Sequence, residues 1–159
     1  MAQKKASTKQ KYKVGQIVAI RLPGRKFAYA KVFNDLDLGV YDFLSDEIAP
    51  VEQVVKKKFS YFNQVTARAI KSGAFIVIGE QPFPDEDSAW APPMAGGVFP
   101  EDDNMDTLHI EHKGEILGAT PKEAAGMCIR TFSQRPELFV EEIVDRLVKG
   151  NNRKYRLKK

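Results

Sequence analysis

The run GQIVAIRLPGRKFAYAKVF, residues 15–33, decides the class of fold. In its first half Ile17, Ala19 and Arg21 share one side of an extended chain, and Val18, Ile20 and Leu22 share the other. Pro23-Gly24 is a turn dipeptide flanked by Arg25 and Lys26. Residues 27–33 then place Phe27, Tyr29, Lys31 and Phe33 opposite the small Ala28, Ala30 and Val32. Asn34-Asp35 turns the chain again, and residues 38–43 make a third strand rich in β-formers. Three strands joined by short turns form a meander, the opening unit of small curved sheets and barrels.

Working outward, the signals alternate between clear and mixed. Residues 51–62 suit either a hairpin arm or an early helix, and Phe59, Tyr61 and Val65 favour strand before helix. QVTARAIKS, residues 64–72, reads as a helix that Gly73 would cap, and FIVIG, 75–79, as a short buried strand. Five prolines and Gly96-Gly97 between residues 80 and 104 exclude regular structure from that stretch. A hairpin over 108–117 turns at Lys113-Gly114. Thr120-Pro-Lys-Glu123 has the form of a capping box opening a short helix. The last helix is expected from Pro136 to Lys149, with Gly150 beyond it. Phe139, Val140, Ile143, Val144, Leu147 and Val148 form its apolar stripe, and Glu141, Glu142, Asp145 and Arg146 its polar face. The expected fold is α+β: a curved antiparallel sheet, small-barrel-like at its N-terminal meander, with helices packed on it, including a long C-terminal helix.

The 159 residues suit one domain, expected over 13–150, with a disordered basic tail at 1–12 and another basic tail at 151–159. About two-thirds of the unfolded surface of such a chain can be buried, enough for a core. One cysteine excludes an internal disulfide framework. No apolar run approaches the ~18 residues of a membrane helix, and no apolar stretch follows the basic N-terminus as in a signal peptide. The expectation is a cytoplasmic protein of bacterial type that does not enter a membrane.

Net charge is +4, yet eleven cations and no acid lie in residues 1–13 and 149–159. Residues 14–148 are left with 14 cations against 21 anions, a net charge of −7. Residues 72–112 hold nine acids and no Lys or Arg. Glu80, Asp85, Glu86, Asp87, Glu101, Asp102, Asp103 and Asp106 from this window are the candidate partner-binding residues, since clustered charge of one sign steers association. The other reading of the same acids is a solvated surface that keeps the protein soluble.

No catalytic, cofactor-binding or metal-ligating set emerges. His109 and His112 are three apart on a strand and point to opposite faces. Asp102-Asp-Asn104-Met-Asp106 begins like a calcium loop but has Thr107 and Lys113 where Gly and Glu are needed. Cys128, between Met127 and Ile129, reads as a structural thiol. Two classes remain. A nucleic-acid-binding, Tudor-like small barrel would use the basic tails. A protein-binding inhibitor would present its acidic body to a basic partner, and the −7 charge of that body favours this class.

YKVGQIVAIRL (12–22), PGRKFAYAKV (23–32), VYDF (40–43), AIKSG (69–73) and FIVIG (75–79) resemble the Immunity protein 26 family. The resemblance covers residues 12–80. It implies a non-enzymatic protein of a bacterial polymorphic-toxin system that binds and neutralises a cognate toxin domain, a basic nuclease being one such class. It carries over no catalytic residue.

Overall fold

The computed structural model describes residues 10–96, 108–131 and 134–151. Five antiparallel strands build the main sheet: β1 Gln16–Leu22, β2 Lys26–Val32, β3 Asp37–Tyr41, β4 Phe59–Gln64 and β5 Phe75–Glu80, in the order β4-β3-β2-β1-β5. A second sheet, β6-β7-β8, consists of β6 Met94–Gly96, β7 His109–His112 and β8 Glu115–Gly118. The helices are α1 Val51–Val54, α2 Arg68–Lys71, α3 Pro121–Ala124 and α4 Pro136–Ile143. None of these is long and apolar enough to cross a membrane.

The main sheet is buried on both faces, which is why β1 is apolar on both sides. Val18, Ile20, Leu22, Ala28, Ala30 and Val40 face a core closed by Ile70 of α2 and by Phe139 and Ile143 of α4. On the other face Ile17, Ala19, Tyr29 and Tyr41 pack beneath Ala49 and Val54. The Tyr29 hydroxyl holds that cover down: it lies 2.6 Å from Ser45 Oγ and accepts the Ala49 N–H at 2.7 Å. Gly39 gives the aromatic residues room, because a Cβ there would lie 2.8 Å from the rings of Phe33, Phe59 and Phe62.

The meander, the strand expected over 75–79, the 113–114 hairpin turn and the Thr120–Glu123 capping box form as the sequence indicates, although β5 runs on to Glu80 and buries Phe75 alone. Several expectations are corrected. The sheet stays open: β4 and β5 are its two edges, so no barrel closes. Helix α1 precedes strand β4, since Pro50 starts a turn that buries Val54. The 64–72 helix shrinks to α2, because Gln64 remains in β4 and its carbonyl accepts the Gln134 N–H. The proline-rich stretch does contain regular structure, a 3-10 turn at Asp87–Ala89 and strand β6. The C-terminal helix is short rather than long, eight α-helical residues followed by five in a π-helical turn, Val144–Val148.

Two residues of its polar face, Glu142 and Arg146, are buried. Asn63 of β4 donates to Glu142 Oε1 at 2.7 Å, Arg146 pairs with Glu142 at 3.2 Å, and the guanidinium stands 4.2 Å from the Tyr61 ring centre. Apolar contact draws the helix onto the sheet, and this network fixes where it sits, since each charged group buried there needs a partner.

Val148, at the end of the apolar stripe, is 55% exposed. Ile143→Ala should therefore cost about 2–5 kcal/mol in urea unfolding, and Val148→Ala less than about 0.5 kcal/mol. Equal costs would mean that the helix packs through a different face.

Candidate functional site: an acidic cleft between the sheets

The site begins at the turn from β2 to β3. Asp35 (φ 61°) and Leu36 (φ 61°) both adopt the left-handed conformation, which costs a residue with a side chain about 1–2 kcal/mol. Four hydrogen bonds hold the turn there. The Leu36 N–H donates to the Tyr12 hydroxyl at 3.3 Å, and the Leu36 carbonyl accepts the Val65 N–H at 3.1 Å. Gln64 Nε2 donates to the Asp35 carbonyl at 2.8 Å, and the Phe33 N–H to the Asp37 carbonyl at 2.8 Å. Asp35 and Asp37 are thereby aimed at Arg130.

Arg130 belongs to the segment that lines β6, where its N–H donates to the Ala95 carbonyl at 2.7 Å. Its Nη1 lies 2.8 Å from Glu111 Oε2 on β7, and its Nη2 lies 3.2 Å from Asp35 and 3.3 Å from Asp37. The other oxygen of Glu111 is 3.0 Å from His109 Nε2. Gly96 makes space for that histidine, since any Cβ at 96 would collide with the ring. Burial pushes the Asp37 carboxyl up to about 7. Arg130 opposes the rise, while the charges of Asp35 and Glu111 add to it. Burial wins because one guanidinium serves three carboxylates.

Two adjoining hollows open beside this cluster and share Asp35 and Gly114. The larger, about 970 Å³, is walled by Phe83, Trp90, Asp85 and Glu86. The smaller, about 210 Å³, has Glu111, Glu115, Ile116 and Arg130. The loop between β5 and β6 forms one wall and is anchored by Phe83, which lies 4.9 Å from Phe33 with the Lys31 ammonium 3.9 Å above its ring. Asp85 accepts the Ser88 N–H at 2.8 Å, and that bond lowers its pKa, so it remains an anion.

The candidate acids separate in three dimensions. Asp85 and Glu86 line the cleft. Glu80 pairs with Lys13 at 3.2 Å and Asp87 with Lys113 at 3.0 Å, both at the surface. Glu101, Asp102, Asp103 and Asp106 lie outside the described residues. Sequence reading missed Asp35, Glu115 and Arg130; the fragment Gly-Met-Cys-Ile-Arg drew attention to Cys128 rather than to its arginine. Among the described residues no group of three or more His, Cys, Asp or Glu could hold a metal ion. Asp35, Glu111 and Glu115 line the hollow that holds the already engaged Arg130, and Asp85 and Glu86 line the larger one. Acids thus outnumber cations around the cleft and attract further cations, while Trp90 and Phe83 offer flat surfaces for their alkyl stems.

Burial of Asp37 has a pH consequence. Between pH ~4 and ~7 the folded protein holds a proton that the unfolded chain releases, so this group's contribution to stability is full below pH ~4 and is lost as pH rises to ~7. Asp37→Asn should remove that slope, so that the wild type loses up to about 4 kcal/mol relative to the variant across the interval in urea titrations. Parallel pH profiles would contradict it. In comparisons with known proteins, the chain matches no family model, no curated protein and no solved structure, so any functional reading rests on the site.

Proposed function

We propose that this chain is a non-enzymatic, immunity-type protein that binds a basic toxin domain through the acidic cleft and so neutralises it. The observation that carries the reading is the charge of the cleft: among the described residues Asp85, Glu86 and Glu115 form no salt bridge, and the one ammonium that acts on Asp85, that of Lys113, is itself paired with Asp87. A nuclease must present cations to hold phosphate, and carboxylates set against aromatic walls can occupy that surface instead. The resemblance of residues 12–80 to the Immunity protein 26 family leads to the same expectation, but no family-model match stands behind it, and the reading rests on the cleft. The place of action is the cytoplasm, where a toxin domain would meet its target.

One observation favours the second reading, a nucleic-acid-binding module. Lys11, Arg68, Lys71 and Arg135 line two grooves of about 630 and 620 Å³ that share Arg68 and Ser72, and Glu137 is the acid among those lining residues.

The test uses the toxin domain encoded by the neighbouring reading frame. Asp85→Asn, Glu86→Gln and Glu115→Gln together should slow its association about tenfold or more at low salt and flatten the salt dependence, because these charges act over a Debye length of ~8–10 Å. The melting temperature should stay within a few degrees of the wild type. Unchanged association rates would sink the reading. If the second reading holds instead, an oligonucleotide binds tightly, and Arg68→Ala with Arg135→Ala weakens it.

A further inference from the structure

Four sheet edges are present among the described residues, and three are engaged. The β5 edge is met by Gln10, whose Oε1 accepts the Val77 N–H at 2.8 Å and whose Nε2 donates to the Phe75 carbonyl at 2.6 Å. The β4 edge takes the Gln134 backbone at Gln64, and β6 takes the backbone of Cys128 and Arg130 on either side of Ala95. The fourth edge, β8, is exposed along its whole length. It carries the two most exposed large apolar residues described, Ile116 at 66% and Leu117 at 63%. It also lacks the lysine or proline with which edge strands are usually protected.

Position and charge say what would pair with it. Glu115 and Ile116 line the smaller hollow of the acidic cleft, so a chain lying along β8 enters the cleft. An added strand would place a side chain across from each β8 residue: a cation opposite Glu115, apolar groups opposite Ile116 and Leu117, and a large side chain opposite Gly118, beside which no atom lies within 4 Å of an added Cβ. From these features we infer that β8 receives an extended, cationic and apolar segment of the basic partner as a fourth strand of the small sheet, an inference that rests on the proposed function.

The probe is an end-capped hexapeptide of the matching pattern, Lys-Lys-Val-Val-Tyr-Lys, titrated into the full chain and followed by amide NMR. The amides of β8 and β7 should shift and exchange more slowly with solvent. The same peptide N-methylated at alternate residues keeps its charge but loses half its backbone donors, and it should bind at least tenfold more weakly. Ile116→Lys with Leu117→Lys should abolish the β8 response without lowering the melting temperature by more than a few degrees, because both side chains are exposed in the wild type. If the peptide shifts Trp90 and Asp85 but not β8, or if N-methylation has no effect, strand addition is overturned while the acidic cleft stands. If the same peptide with glutamate in place of each lysine binds equally well, or if β8 shifts on concentrating the protein alone, the inferred occupant is wrong. Failure of the broader reading would appear separately, in toxin association rates that ignore the cleft acids.

Discussion

One guanidinium, that of Arg130, is shared by Asp35, Asp37 and Glu111, and the arrangement of the two sheets relative to each other depends on it. The main sheet needs no such help. It is covered on both faces, and each large side chain fully buried there is worth about 1.5–3 kcal/mol. The small sheet is different. Its strands are three or four residues long, and among the described residues its own apolar cluster has Ala95, Leu108 and Ala124 as buried members. A three-stranded sheet with so few buried apolar residues among those described is marginal alone. The segment that lines β6 ties it to the main sheet through Arg130, through Thr131, whose N–H donates to Asn63 of β4, and through Cys128 packed on the main core. At the rim the exposed Lys113–Asp87 pair is worth at most about 1 kcal/mol. Arg130 is mostly buried, and removing one partner of a buried charge cluster costs far more than a surface pair contributes.

The same clamp accounts for the cleft. Asp35 reaches Arg130 only because residues 35 and 36 take a conformation that neither side chain favours, and the hydrogen bonds from Tyr12, Gln64 and Val65 enforce it. Strain held in this way recurs where a structure must aim a functional group. Here it turns two carboxylates inward and leaves Asp85, Glu86 and Glu115 around the opening. With the guanidinium occupied, those outer carboxylates are what an approaching partner meets.

How much of this was legible in the sequence follows from the range of each interaction. Strands β1 to β3 were readable because side-chain alternation and the Pro23-Gly24 and Asn34-Asp35 turns are local. The capping box at Thr120 was readable for the same reason. Periodicity put Glu142 and Arg146 on a polar stripe but could not show what faces it, since Asn63 and Tyr61 lie about eighty residues away in the chain. Charge counting misled in a similar way. A window of nine acids without a cation looked uniform, yet Lys13 and Lys113, outside both of its ends, fold back on Glu80 and Asp87. Arg130 was invisible because its contact with Asp35 spans 95 residues.

The most direct test of this account is native-state hydrogen exchange on Arg130→Met, which keeps the length of the side chain and removes its charge. If Arg130 holds the small sheet in place, amides of β7 and β8 should exchange on the order of 100-fold faster while those of β1 and β2 keep their protection. Unchanged protection in β7 and β8, or equal loss throughout both sheets, would contradict it.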